Sequence, residues 1–369
     1  MSAAVFAFGD LRILVESAER SHLAWLEEFL TPQFDLSAHP AHDCRVTVVE
    51  DGDRHGATLA LGPANGTLDA FTHDTRVVTL PRWQGAETRL FDAKPGVFYE
   101  VTGHPYAATI LTTPGNGRGR TALMRVVREL ATNRAQRAGG VLLHASAFAV
   151  GGKGIIVAGP KRAGKTTLLI HALRAASARY VSNDRVVVQP DAVPVLARGV
   201  PTIIPLRRGT LDMFPAVAAR VAAASYHHRL TIHEAATLGR RAAAPRSDAD
   251  RLSPAQLCRV LDASPLGQCE VSALLLPRIT NESGAFSTRR LPEGEAAAQL
   301  AGGLFGVTVG RWTSEVFSVA GDAAPPDLAA LRDRCQRLTD RIPCFECRVG
   351  LDAFASASSA DDLIASLLG

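Results

Sequence analysis

One short segment, GIIVAGPKRAGKTTLLIHAL at residues 154–173, limits the possible folds of this chain more than any other feature. Its central part, from Gly159 to Thr166, matches GxxxxGK[ST], the pattern of a phosphate-binding loop. An apolar run precedes the loop and a helical pattern follows it, so the expected order is strand, loop, helix. Gly159 and Gly164 leave room for backbone N–H groups to face phosphate oxygens. The segment therefore predicts an α/β fold that binds a nucleoside triphosphate.

The residues expected to contact ATP are consecutive: Gly159, Pro160, Lys161, Arg162, Ala163, Gly164, Lys165, Thr166 and Thr167. In such a loop the lysine reaches the β and γ phosphates and the following hydroxyl binds Mg²⁺, roles that fall here on Lys165 and Thr166. The chain has 40 basic residues, but only four are lysines and two of those lie in this loop. A compact ammonium fits between phosphate oxygens where a planar guanidinium does not. The alternative is a glycine-rich turn that opens a helix without binding a ligand.

A carboxylate is also needed, both to hold the metal and to accept a proton from an attacking hydroxyl. Asp184, in the segment YVSNDRVVV, lies 19 residues after Lys165. The interval is long enough for one helix and one short strand, which would return Asp184 to the loop. The alternative is that Asn183 and Asp184 simply form a β-turn, a structure that both residue types favour.

A family resemblance extends over about 50 residues around these positions, in LLHASAFAVGGKGIIVAGPKRAGKTTLLIHALRAASARYVSNDRVVV. The segment resembles the catalytic core of bacterial HPr kinase/phosphorylase, whose fold is related to that of phosphoenolpyruvate carboxykinase. The resemblance implies that His144 belongs to the catalytic site, that residues 159–167 bind ATP, and that Asp184 is both the base and a neighbour of Mg²⁺. Without it, His144 would be interpreted as an ordinary strand histidine.

The chain also departs from that family. Asn183 stands where the family has the first aspartate of a pair, and Leu196 stands at the glutamate of a Glu-x-Arg-Gly signature that Arg198 and Gly199 otherwise match. The resemblance is therefore to divergent HPr kinase-like proteins, including peptide-tailoring kinases of bacterial biosynthetic clusters such as those for lasso peptides. Arg198 is also a candidate, with Arg207 and Arg208, for stabilising the transferring charge.

The resulting expectation is an ATP-dependent kinase that phosphorylates a Ser/Thr-type hydroxyl of a peptide or protein, including a ribosomally made peptide precursor. A small-molecule hydroxyl kinase would use the same residues. A nucleotide-binding regulatory protein without phosphotransfer is the alternative from another class, and the missing second carboxylate favours it. The family resemblance further implies self-association.

Two domains are expected. Residues 1–118 are predicted to form a smaller α+β domain that recognises the substrate, with strands that include CRVTVVEDG and GATLALG and a helix in HLAWLEEFL. Glycines and a proline in TTPGNGRGR predict the break. Residues 119–369 are predicted to form an HPr kinase-like core of mixed sheet and helices.

Composition restricts the partners and the location. The net charge of +4 includes no long basic run, and no apolar stretch approaches the ~20 residues that cross a bilayer. We therefore expect no nucleic-acid or membrane partner and a cytoplasmic protein. The six cysteines are irregularly spaced, and the Cys344–Cys347 pair in IPCFECRV is interpreted as part of a strand rather than as a metal or redox site.

Overall fold

The computed structural model describes residues 1–73, 76–85, 87–103, 106–223, 249–280, 286–304, 316–319, 323–355 and 358–368. These residues form large mixed sheets and ten α-helices, which confirms the α/β class. The chain divides into two compact units, the first built mainly from Met1–Ala138 and the second mainly from Gly139 onward. None of the helices described is both long and apolar enough to span a bilayer.

The first unit contains a nine-stranded sheet with strand order β3-β1-β2-β4-β9-β8-β7-β6-β5. Its strands are β1 Ser2–Phe8, β2 Leu11–Ser17, β3 Asp35–Ser37, β4 Cys44–Glu50, β5 Gly66–His73, β6 Arg76–Gln84, β7 Thr88–Asp92, β8 Val97–Thr102 and β9 Ala107–Thr112. Its helices are α1 Arg20–Leu30, α2 Gly52–Leu59 and α3 Gly119–Arg137. The pairs β2–β4 and β4–β9 are parallel and the others are antiparallel. The helix predicted in HLAWLEEFL is confirmed as α1.

Helix α3 belongs to the first unit, whereas the sequence pattern predicts that residue 119 onward belongs to the second. The helix packs against β4, β9 and α1, all of which lie in the first unit. The glycine-rich segment before it is therefore a loop within the first unit, and the division follows the helix at Ala138. Glycine and proline content predicts the loop correctly but not the elements that the next helix contacts.

The prediction of a strand in GATLALG is wrong, because these residues form the last turn of helix α2 and the segment that follows it. Asp51 caps this helix, and its Oδ1 accepts a hydrogen bond from the N–H of Arg54 at 2.9 Å. His55 and Thr58 are the buried residues of α2, whereas Leu59 and Leu61 are both 52% exposed. The alternation of apolar residues in this segment is too short to distinguish a strand from the end of a helix.

The second unit contains eleven strands and seven α-helices among the residues described, with one further 3₁₀ helix at Leu351–Phe354. The strands are β10 Val141–Val150, β11 Lys153–Ala158, β12 Ala178–Ser182, β13 Arg185–Gln189, β14 Leu196–Val200, β15 Ile204–Arg207, β16 Ala249–Leu252, β17 Ser264–Pro265, β18 Gln268–Thr280, β19 Ser287–Arg290 and β20 Cys344–Gly350. The helices are α4 Lys165–Ala172, α5 Arg208–Asp212, α6 Pro215–Ala223, α7 Pro254–Leu261, α8 Glu293–Gly302, α9 Leu328–Arg341 and α10 Ser358–Leu368.

Five strands of this unit pair in a closed ring. Strand β10 pairs with β11, β11 with β18, β18 with β14, β14 with β13, and β13 again with β10. Gly151 and Gly152, both with positive φ, make the tight turn between β10 and β11. Strand β10 therefore has the strand that leads into the loop on one edge and the segment around Asp184 on the other.

Strands β12 and β13 do not form a hairpin. Both pair antiparallel with β10: β12 lies along the second half of β10, and β13 lies along the first half. The chain therefore continues in one direction past Asn183 and Asp184. The N–H of Ala145 donates to the carbonyl of Asp184 at 3.1 Å, and Ser146 Oγ donates to the carbonyl of Asn183 at 2.6 Å. The β-turn alternative for these two residues is therefore excluded.

Helix α4 lies in the apolar core of the second unit, with His171 fully buried among Phe214, Phe286 and Phe354. The Nε2 atom of His171 lies 3.2 Å from Oγ of Ser359 on α10. Burial, helped by the nearby charge of Arg174, lowers the pKa of His171 to about 4. The histidine is therefore neutral in the folded protein at neutral pH.

This burial predicts acid sensitivity. Below pH 6.5 the unfolded chain binds a proton at His171 while the folded protein does not, so the free energy of unfolding falls by up to about 3 kcal/mol between pH 7 and pH 4. His171→Gln, which keeps a polar partner for Ser359, should lose less stability over the same range. Urea denaturation at several pH values measures the difference between the two proteins. Parallel curves for the two proteins would show that His171 does not cause the loss.

Candidate functional site

The loop between β11 and α4 has the backbone geometry of a phosphate-binding turn. Gly159 has φ +144° and Gly164 has φ +94°, values that L-residues rarely adopt. Gly164 is restricted twice, because a Cβ built on it would also lie 2.7 Å from Cγ1 of Ile279 on β18. The helix starts directly after Gly164, so its first N–H groups face the loop. Strand, loop and helix follow the order predicted from the sequence.

Lys165, the first residue of α4, is only 7% exposed. Its Nζ donates to the carbonyls of Gly159 at 2.9 Å and Pro160 at 3.0 Å, which holds the ammonium against the loop. Thr166 is partly exposed and Thr167 is buried. The lysine ammonium is therefore held within the loop, and the first threonine remains accessible beside it.

Asp184 is hydrogen-bonded to His144, whose Nε2 lies 3.2 Å from its Oδ1. Nε of Arg185 is 3.9 Å from the other carboxylate oxygen. Desolvation by itself raises the pKa of the Asp184 carboxyl, but the hydrogen bond from His144 and the charges of His144, Arg185 and Lys165 outweigh it and lower the pKa. The structure therefore brings His144, Lys165 and Asp184, which are far apart in sequence, into one electrostatic cluster with an ionised carboxylate.

The backbone around Asp184 is fixed by hydrogen bonds from neighbouring strands. Besides the bonds from Ala145 and Ser146, Ser182 Oγ donates to the carbonyl of Arg185 at 2.6 Å. Ser146 and Ser182 are both fully buried, which excludes competing water. The carboxylate thus projects from a rigid position rather than from a flexible loop tip.

Sequence reasoning missed three of the residues that build this region. Arg185 is a buried cation directly beside the carboxylate, and Ser146 supports the backbone next to it. The carbonyl of Gly303 accepts a hydrogen bond from the N–H of His144 at 3.1 Å, and a Cβ on Gly303 would lie 3.9 Å from the N atom of Gly159. The Gly302–Gly303 pair at the C-terminal end of α8 is the one signal in the sequence that indicates this close approach.

The other arginine candidates have different environments. Arg198 on β14 donates to Oε1 of Gln268 at 2.7 Å, its strand partner, and Arg207 and Arg208 are exposed at the start of α5. The charged groups that lower the pKa of Asp184 are His144, Arg185 and Lys165, and these three arginines are not among them. Asn183, at the position of the family's first aspartate, is 5% exposed, and its Oδ1 has no hydrogen-bond partner among the described residues.

The donors present at this site fit Mg²⁺. The ion prefers oxygen ligands and is usually held by one or two carboxylates together with phosphates of a substrate, which matches Asp184 and Thr166. Within the described ranges, no group of three or more His, Cys, Asp or Glu side chains could form an all-protein metal site. Cys344 and Cys347 lie on β20 as predicted, and burial raises the pKa of each thiol to about 12, which disfavours metal or redox chemistry there.

A cavity of about 350 Å³ lies elsewhere in the second unit. Its lining includes Arg290, Glu293, Thr339 and Cys344, and none of the predicted site residues. The loop and Asp184 are therefore the better candidate site, because their chemistry is specific whereas the cavity is defined by its volume alone.

The contact between His144 and Asp184 makes a prediction that does not depend on activity. His144→Ala removes the hydrogen bond that lowers the pKa of Asp184, so that pKa should rise. His144→Gln, which keeps an N–H donor, should raise it less. Carbon-13 NMR titration of labelled aspartate, with the signal assigned by its loss in Asp184→Asn, measures the shift. An unchanged pKa in His144→Ala would show that the two groups are not coupled.

No model of a known protein family matches the chain, and no curated protein matches it.

Proposed function

We propose that this protein is an ATP-dependent kinase that transfers the γ-phosphoryl group to a Ser/Thr-type hydroxyl of a peptide or protein. We further propose that the second unit has an HPr kinase/phosphoenolpyruvate carboxykinase-like fold and that the first unit recognises the acceptor. The single observation that carries the proposal is the ionised Asp184, paired with His144 and lying within the electrostatic reach of Lys165. A phosphate loop alone would be compatible with simple nucleotide binding.

The proposed reaction assigns one task to each residue. The acceptor oxygen attacks the γ-phosphorus, its O–P bond forms while the bond to the β–γ bridging oxygen breaks, and ADP leaves. Asp184 accepts the hydroxyl proton, and His144 orients the carboxylate through its hydrogen bond. Lys165 and the loop N–H groups neutralise charge on the transferring group. Bound Mg²⁺, held by Thr166 and Asp184, would supply further charge neutralisation.

Two neighbouring possibilities remain distinct proposals. A small-molecule hydroxyl would be phosphorylated by the same residues, so only the acceptor differs. A regulatory nucleotide-binding protein without phosphotransfer is favoured by one observation, namely that the neutral Asn183 leaves Asp184 as the one carboxylate of the segment YVSNDRVVV. A buried and unpartnered amide oxygen next to Asp184 contributes no second negative charge for a metal.

The test is phosphoryl transfer from γ-labelled ATP, with Mg²⁺, to peptides encoded beside this gene. We expect the label on a serine or threonine, which peptide variants with alanine at the hydroxyl position would locate. Lys165→Ala should abolish labelling by removing the charge at the phosphates. Binding of ATP without labelling of any peptide, protein or small-molecule hydroxyl would replace the kinase proposal with the regulatory one.

A further inference from the structure

Arg162 has an unusual backbone for its residue type. It lies at the third position of a four-residue turn that is closed by a hydrogen bond from the N–H of Ala163 to the carbonyl of Pro160 at 3.2 Å. Its φ of +71° is in the left-handed region. That position of such turns normally holds glycine, since a side chain there is strained. The chain uses glycine at two other positive-φ positions of the loop but not at this one.

One other described residue that is not glycine, Asp262, also has positive φ, at +54°. It follows helix α7 as its C-cap, a position where Asp and Asn are common because their short polar side chains tolerate this conformation. Its side chain also pairs with Arg220. Asp262 is therefore explained by local structure, whereas a long arginine has no such local explanation.

The Arg162 side chain is exposed, and it has no hydrogen-bond or ion-pair partner among the residues that the structure describes. No packing or pairing within those residues accounts for an arginine here. Its position is two residues after Pro160, whose carbonyl holds the ammonium of Lys165. A side chain on this turn therefore starts close to the place where the lysine would meet the terminal phosphate.

We propose that Arg162 is a catalytic residue whose guanidinium binds the transferring phosphoryl group, so that the phosphate loop supplies its own arginine. The inference rests on the proposed function. A planar guanidinium donates two parallel hydrogen bonds to phosphoryl oxygens, and such arginines act on the charge of the transition state. Arg162 takes no proton and forms no bond, since the O–P bonds and the proton move as in the proposed reaction. It also fills the role for which the sequence makes Arg198 a candidate.

The experiment compares binding of ADP with binding of ADP plus aluminium fluoride, both with Mg²⁺, by calorimetry on the full chain. The complex with fluoride imitates the transferring phosphoryl group and needs no acceptor. We expect wild-type protein to gain at least about tenfold in affinity from the fluoride, and Arg162→Gly to lose most of that gain. Each tenfold change corresponds to about 1.4 kcal/mol. Affinity for ADP alone should fall by less than the affinity for the fluoride complex.

Three further measurements distinguish the effect of the Arg162 side chain from the effect of its strained backbone. The thermal midpoint of Arg162→Gly should equal or exceed that of wild type, because glycine removes the strain. Asp262→Gly, which relieves the same kind of backbone strain at the end of α7, should retain the full fluoride gain. Arg162→Lys keeps the charge but not the paired N–H donors, and it should retain only part of the gain in affinity from fluoride.

The outcomes are distinct. Wild-type protein that binds ADP but gains nothing from fluoride, or an Arg162→Gly variant that gains as much as wild type, would overturn this inference and leave nucleotide binding intact. A lower thermal midpoint in Arg162→Gly would assign a structural role, and a full gain in Arg162→Lys would assign the effect to charge alone. Wild-type protein that binds no ADP would overturn the proposed function itself.

Discussion

Asp184→Asn is expected to slow phosphoryl transfer by about 10²–10⁴-fold while ATP still binds, because the amide keeps the shape of the carboxylate but cannot accept the proton. The effect should be largest in kcat. Single-turnover transfer of the γ-phosphoryl group to the acceptor, together with equilibrium binding of ATP, separates the two quantities. The backbone around residue 184 should stay in place, since its carbonyl bond to Ala145 does not involve the side chain.

A matched control uses an aspartate of the same unit that lies outside the site. Asp212, at the end of α5, is exposed, so Asp212→Asn should leave both transfer and binding unchanged. The pH profile gives a second readout, because the acidic decline that Asp184 causes in wild type should be absent from Asp184→Asn. Transfer at the wild-type rate, or an ATP affinity that falls as much as the rate, would contradict a role as the base.

The second large effect concerns Gly164. Gly164→Ala should distort the phosphate loop, because φ +94° disfavours any Cβ and the new atom would collide with Ile279. The left-handed conformation costs about 1–2 kcal/mol and overpacking about 1–3 kcal/mol. We expect ATP affinity to fall by more than about 100-fold, since a loss of roughly 2.7 kcal/mol at the loop has that effect. Calorimetric titration with ATP and urea denaturation measure the loss.

A double-variant cycle tests the cause. Combining Gly164→Ala with Ile279→Ala removes the collision but not the strained φ, so ATP affinity should recover only in part. Gly209 in α5 provides the control, because a Cβ added there would meet no atom within 4 Å and its φ is ordinary, so Gly209→Ala should leave binding unchanged. If Ile279→Ala gave no recovery, the collision would not be the source of the loss.

The local features of the site could be predicted from sequence because they depend on short patterns. The loop from Gly159 to Thr166, the strand before it and the helix after it follow from glycine spacing and apolar periodicity. Ser253 caps α7, and Gln256 three residues later completes a capping box. These structures are stabilised by contacts within a few residues, which a single sequence displays directly.

Other features depend on contacts between distant residues and could not be predicted in the same way. The segment containing Asn183 and Asp184 resembles a hairpin turn in the sequence. In the fold the strands on both sides of it, β12 and β13, pair with β10, and Ala145 and Ser146 of β10 donate hydrogen bonds to the carbonyls between them. In the sequence, Arg185 is one polar residue in an otherwise apolar strand. In the fold it is buried beside Asp184, where its charge helps to lower the pKa of that carboxyl. The packing of α3 onto the first sheet likewise depends on surfaces that its own pattern does not specify.

The two edges of β10 have a consequence for substrate diversification. If the proposed function holds, the nucleotide is bound through β11 on one edge and the proton acceptor is held through β12 and β13 on the other. Substitutions near the second edge can then alter which hydroxyl is accepted without rebuilding the triphosphate contacts. This arrangement allows related chains to acquire new acceptors by separate, small steps.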